Sequence, residues 1–232
     1  MANGNAWSID GNIASAKIGS SEVLFDASNP SSGLTFSWGG SVVCQKLFAL
    51  LLNDEPVEMF VRLLDLVVRL PHRNSDLVAY ELCFSVGEDG REIDMQLSAE
   101  TNLLDSKPET KVSTSLPCGT VVAKVDAESD LTEVADAADF DSKSVVEYFL
   151  HRPAELADQS FMLLSHPSDF HRAAAKGGSD PSVSFWVFPE SLEKGVIRRA
   201  RIKLRVLDRA KDESEAKDIV NAFRNEAPPL AT

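Results

Sequence analysis

No stretch of this sequence approaches the ~18 to 20 consecutive apolar residues that a membrane-spanning helix requires. Cysteine is scarce: Cys44, Cys83 and Cys118 are widely spaced and form no CxxC pair. So sparse and odd a set excludes a disulfide framework and a paired-thiolate metal site, and it predicts free thiols in a reducing compartment. Positive charge is also in deficit, with 23 Lys and Arg against 36 Asp and Glu and a formal charge of −13. A field of that sign repels phosphate backbones and anionic lipid, so neither nucleic acid nor membrane is an expected partner. The opening MANGNAWSIDGN has no basic segment followed by an apolar core. A secretory leader is therefore not expected, and the cytoplasm is the expected location. Glycine-rich phosphate cradles are missing too: KGGSD at 176–180 reads as a hairpin tip with no helix behind it, and no cofactor is expected.

What is present is short, alternating and β-like. Hydrophobic residues make up 44% and charged residues 25%, ordinary for a chain that buries a core. Asp10-Gly11 sits between two short runs, as hairpin chemistry requires, and Leu34, Phe36 and Trp38 share one face of a later strand. DLVAYELCFSVGEDGREIDMQLSAET is a hairpin turned at Glu88-Asp89-Gly90, with Ile93, Met95 and Leu97 facing one way and Glu92, Asp94 and Gln96 the other. Four further runs, SVVEYFL, SFMLLSH, SVSFWVFP and GVIRRARIKLRVLD, read as strands. Near the end, Ala216, Ile219, Val220 and Phe223 fall at helical spacing before Pro228-Pro229, which predicts a terminal helix over 214–224.

Two segments are ambiguous. In VEMFVRLLDLVVRLPH, Glu58, Arg62, Asp65 and Arg69 recur at helical spacing, whereas the valines favour two strands about a tight turn at Leu64-Asp65. The strand reading gives an all-β protein and the helical one an α+β protein. The acidic, Ala-rich stretch at 126–143 predicts a short helix or an exposed loop, and a subdivision of the chain if there is one. The expectation is a large antiparallel β-sandwich with a C-terminal helix, occupying 1–232 as one sandwich-type domain.

The closing pattern LEKGVIRRARIKLRVLDR, then a helix and APPL, together with SWGG and LSHPSDF, resembles a group of uncharacterised planctomycete proteins. The resemblance implies a bacterial lineage and no chemistry.

Several clusters invite a chemical reading. SFMLLSHPSDFHR brings His166, Asp169 and His171 within six positions, but this matches no metal-ligand pattern. Pro167 and Asp169 fit a turn after a strand, with Asp169 capping a helical turn from Phe170 to Lys176. WGGSVV has glycines on one side only of Ser41, so it is no nucleophile elbow, and nothing places a base beside Cys118. Asp136, Asp139 and Asp141 lack the glycine-turned loop of a calcium site. No metal is expected.

Arg199, Arg201, Lys203 and Arg205 alternate with Ala200, Ile202, Leu204 and Val206, forming a cationic ladder on one strand face. Such a ladder either meets an anionic ligand or pairs across strands with acids such as Glu92 and Asp94, and the acidic composition favours pairing. Phe185, Trp186 and Phe188 cannot all point inward from one strand, so at least one, with Trp186 the candidate contact, lies on the opposite face.

With every catalytic motif failing, the leading expectation is a non-catalytic binding or assembly module taking a carbohydrate or protein partner, with a homo-oligomer left open. The alternative is a carbohydrate-active enzyme on a mutarotase-like sandwich. That alternative calls for two or more of His72, His151, His166 and His171 to meet acids in one concave pocket, whereas dispersed histidines would favour the module.

Overall fold

The structure, a computed structural model, describes residues 7–50, 58–70, 78–126, 128–140 and 146–226. Strands β1 (Trp7–Asp10), β2 (Ile13–Ile18), β3 (Ser21–Asp26), β4 (Leu34–Trp38) and β5 (Ser41–Leu50) form an antiparallel meander in a first sheet. A second meander, β6 (Glu58–Arg62), β7 (Asp65–Leu70), β8 (Ala79–Val86) and β9 (Glu92–Glu100), builds one side of a second sheet. The chain then alternates between layers. Strand β10 (Thr110–Ser115) joins the first sheet, β11 (Gly119–Lys124) and β12 (Thr132–Glu133) the second, and β13 (Ala137–Phe140) the first. Strands β14 (Tyr148–Pro153) and β15 (Gln159–Ser165) return to the second sheet, β16 (Phe170–Lys176) and β17 (Ser182–Val187) to the first, and β18 (Ile197–Asp208) to the second. Helix α1 (Asp212–Arg224) follows.

Among the described residues each sheet has nine strands, in the orders β1-β2-β3-β4-β5-β10-β17-β16-β13 and β12-β11-β14-β15-β18-β9-β8-β7-β6. The two layers pack face to face. Val23, Phe25, Phe36 and Leu47 of the first meet Phe84, Met95, Phe161, Ile202 and Leu204 of the second in one continuous core. Rings cross between layers, Phe25 to Phe84 at 5.9 Å and Phe36 to Phe161 edge-on at 6.1 Å. Fully burying side chains of this size contributes roughly 1.5–3 kcal/mol each, and this core is what holds the sandwich closed.

The all-β reading with a terminal helix holds, and 58–70 is a hairpin. Its turn lies at Leu63-Leu64, one residue before the expected position, with Leu63 carrying a positive φ of 57°. Glu88-Asp89-Gly90 turns β8 into β9. Gly90 has φ 70°, and a Cβ there would meet Ile18 O at 2.3 Å, so only glycine fits. The 126–143 stretch departs from the helix-or-loop reading: 132–140 supplies a short edge strand to each sheet, while Asp141 lies outside the described residues. Helix α1 begins two residues earlier than expected because Asp212 is buried as an anchor. Its carboxylate accepts from Arg152 Nε at 2.9 Å and Nη2 at 3.1 Å and from Ser160 Oγ at 2.7 Å.

The outer face of the second sheet is divided in two. Its β11–β15 side presents Val122, Tyr148, Leu150, Met162 and Leu164, and α1 covers these with Ala216, Val220 and Phe223. Its β6–β9 side is polar and is left uncovered by the helix. Among the described residues no helix is long and apolar enough to cross a membrane.

Candidate active site

Strand alternation sends Ala200, Ile202, Leu204 and Val206 of β18 into the core, so their neighbours must point outward. Antiparallel register then sets Lys203 opposite Asp94, Arg205 opposite Glu92, Arg201 opposite Gln96 and Arg199 opposite Ser98. Strand β8 extends these rows with Ser85, Cys83 and Glu81, β7 with Val67 and Arg69, and β6 pairs Arg62 with Asp65. The polar half of the face is thus a charged grid whose order follows from register alone.

Most of the cations in the grid are paired. Lys203 Nζ lies 2.9 Å from Glu92, 3.3 Å from Asp94 and 3.8 Å from Glu226, and 5.1 Å above the Phe223 ring. Arg205 reaches Asp89 at 2.8 Å and Glu92 at 3.5 Å, and Arg69 reaches Glu81 at 2.8 Å and Glu58 at 3.5 Å. The expected pairing with Glu92 and Asp94 is therefore present for Lys203 and Arg205. Arg201 turns instead to Asp169, and the ladder is no open surface, since Arg201 and Lys203 are 9% and 6% exposed.

Two cavities open on this half. One, of about 300 Å³, lies among Arg62, Asp65, Cys83, Asp94, Gln96 and Arg201, with Phe223 and Glu226 forming its wall on the helix side. The other, of about 550 Å³, lies over Arg69, Tyr80, Glu81, Ser98 and Arg199 and shares Arg62 with the first. Both fall within the size range of small-molecule sites. Burial raises the Asp94 carboxyl to about 7; Lys203 opposes the shift and Glu92 adds to it. Burial likewise pushes the Cys83 thiol up to about 11, with Asp65 reinforcing it. Burial pulls Lys203 down, but Asp94, Glu92 and Glu226 outweigh it and hold the ammonium above the ordinary lysine range. An acid that changes charge near neutrality, in a cleft with donors and acceptors around it, can exchange protons with a bound hydroxylated ligand.

The sequence-predicted residues disperse. His166 Nδ1 shares a hydrogen bond with Ser168 Oγ at 2.8 Å, and its ring meets Phe223 edge-on at 5.4 Å. Burial, followed by Arg201, lowers its pKa. The 166–169 turn is real, closed by Asp169 N–H donating to His166 O at 2.9 Å. The expected cap is not: Phe170–Lys176 is strand β16, because Ala173 and Ala175 alternate into the core and period 2 overrides the helical reading. Asp169 binds the Arg201 guanidinium instead. His171 Nε2 meets Glu109 at 3.0 Å.

His151 is fully buried, stacked on Phe161 at 6.2 Å, with Nε2–H donating to Pro117 O at 3.0 Å. His72 lies outside the described residues. Trp186 points outward from the other sheet, between Arg172 at 4.3 Å and Lys111 at 5.0 Å, while Phe185 and Phe188 are buried, as the three-aromatic argument requires. Cys118 is exposed, and Asp139 pairs with Arg172 at 3.0 Å. Among the described residues no three His, Cys, Asp or Glu side chains group as a metal site. The three described histidines, His151, His166 and His171, therefore do not meet in one pocket. Carboxylates and arginines of β6–β9 and β18 line the two cavities instead, and the signal for them was the polar stripe of Glu58, Arg62, Asp65 and Arg69.

The sequence matches no protein-family model and no curated protein. The fold, however, is shared with several solved structures. A protein assigned as an aldose 1-epimerase from Escherichia coli K12 superposes with a TM-score of 0.64 at 8% identity, over 84% of this chain and 99% of that one. A galactose mutarotase related enzyme from Lactobacillus acidophilus gives 0.56 at 7%, over 84% and 97%. An α-N-acetylgalactosaminidase from Bifidobacterium bifidum gives 0.62 at 12%, over 91% of this chain and 38% of that longer one. These neighbours correct the leading expectation of a non-catalytic binding or assembly module, since the three proteins that share this architecture are named as carbohydrate enzymes. The chain has the galactose mutarotase-like β-sandwich fold.

Proposed function

We propose that the protein is a carbohydrate-active enzyme that works on small sugars at the open polar half of the second sheet. The supporting observation is the cleft of about 300 Å³ in which Asp94, raised to about 7, faces Asp65, Glu226, Arg62 and Gln96. Sugar hydroxyls both donate and accept hydrogen bonds. Carboxylates accept, guanidinium donates, and an amide does both, so this lining matches a sugar ring. The carbohydrate enzymes among the structural neighbours agree with this reading. Opening and closing a cyclic hemiacetal needs only proton transfer at two oxygens, and a titrating carboxyl together with water supplies both.

The test is exchange-detected proton NMR on a panel of neutral aldoses, glucose and galactose included, with saturation transfer to detect binding. Binding together with anomer interconversion faster than in buffer is expected. Neither binding nor acceleration across the panel would refute the proposal.

A further inference from the structure

We propose that Asp94 is the proton-transferring residue of this cleft and that Lys203 positions it. The inference rests on the carbohydrate reading for its substrate and on geometry for its residue.

The argument is one of charge and access. One ammonium, Lys203 Nζ, serves three carboxylates at 2.9 Å (Glu92), 3.3 Å (Asp94) and 3.8 Å (Glu226), and it cannot neutralise all of them. A surplus of negative charge in a partly desolvated site is relieved by taking up a proton. Of the three, Glu92 has a second cation, Arg205, at 3.5 Å, and Glu226 lies past the end of α1 with 48% of its side chain exposed to water, against 36% for Asp94. Among these ion pairs Lys203 is the only cation that reaches Asp94, so the proton settles there.

The other charges that face the cleft do not alter this. From β18, Arg201 is already engaged by Asp169 at 2.8 Å. From the β6–β7 hairpin, Arg62 and Asp65 bring opposite signs together, and from β8 Cys83 remains a neutral thiol. The upward shift of Asp94 to about 7 agrees with this accounting.

Chemically, a cyclic aldose opens when the C1–O5 bond breaks. The ring oxygen takes the proton of Asp94, and the anomeric hydroxyl gives its proton to water. Closure on either face of the carbonyl returns both protons, so nothing is consumed. Lys203 keeps the carboxyl aimed at the cleft and limits how far its affinity for the proton rises.

Two measurements test this. Carbon-13 NMR titration of the Asp94 carboxyl in the wild-type protein should give a midpoint in the neutral range, and Lys203→Met should move it upward; a midpoint in the ordinary carboxylate range overturns the proposal. With an aldose that the wild type interconverts, Asp94→Asn should lower kcat by roughly 100-fold or more with KM little changed. Asp94→Glu should recover part of the rate, and Lys203→Met should displace the pH profile to higher pH. Wild-type rates in Asp94→Asn overturn the role of Asp94 and leave the carbohydrate reading standing. A wild type that neither binds nor interconverts any aldose overturns both.

Discussion

Replacing Arg201 by alanine should destabilise the protein by about 2–4 kcal/mol. The guanidinium holds Asp169 through Nε–Oδ2 at 2.8 Å and Nη2–Oδ1 at 3.3 Å, and both side chains are nearly buried, at 11% and 9% exposed. Arg201 Nη1 also donates to Glu226 O at 3.3 Å. Removing one partner of a buried pair costs roughly 3–5 kcal/mol, because the remaining charge is left desolvated. The loss is smaller than for a fully orphaned charge because Asp169 keeps two donors, the Arg201 backbone N–H at 3.0 Å and Ser168 Oγ at 2.6 Å. An exposed cross-strand pair would be worth only about 0.5–1 kcal/mol, so burial changes the expected magnitude severalfold. Urea titration at 0.05 M and 1 M NaCl is the assay. The loss should persist in 1 M salt, since screening with a Debye length of ~3 Å acts on exposed charges far more than on this pair. The double variant Asp169→Asn with Arg201→Met should recover part of the loss, because no unpaired charge remains. A loss under about 0.5 kcal/mol, or one abolished by salt, would refute the argument.

Two further outcomes follow from the packing of the buried His151 against the Pro117–Gly119 turn. Burial pushes the pKa of His151 down to about 4, so the folded protein keeps it neutral while the unfolded chain takes up a proton below about 6.5. Stability is then lost as pH falls from 6.5 to 4, by about 3 kcal/mol in all, and His151→Phe should flatten that part of the pH dependence in urea titrations; an unchanged slope would show that His151 is not the titrating group. Gly119→Ala should cost about 1–3 kcal/mol, because its Cβ would meet Arg152 O at 2.4 Å and His151 Nε2 at 2.7 Å. A wild-type denaturation midpoint in that variant would contradict the packing.

Local chemistry made much of the fold legible. Glu88-Asp89-Gly90 and Asp10-Gly11 mark hairpins because those residues tolerate the backbone that tight turns demand. The alternation of β9 and β18 gave both the core face and the pairing of Lys203 with Asp94. The site was less legible because it depends on partners distant in sequence. Asp65, Cys83 and Asp94 share a cleft only after β7, β8 and β9 align, and Glu226 joins them only after α1 folds back. Asp169 misled for the same reason. Its neighbours suit a cap, and nothing near it in sequence signals the arginine on β18 that binds it.

The charged grid depends on a seam between parts of the chain far apart: β9 lies against β18, and Arg91 bonds Asp208 at 3.1 Å across 117 residues. The first sheet is closed in the same way, with β10 held between β5 and β17. Loop-closure entropy must be overcome before such contacts form, and folds dominated by them are slow to reach the native state. Until β18 docks, β9 presents a row of acids with no counter-ions and a bare sheet edge. The cleft is therefore complete only once β18 has docked against β9. A chain interrupted before residue 197 would lack not merely a strand but the cations that hold the acids of β9 together.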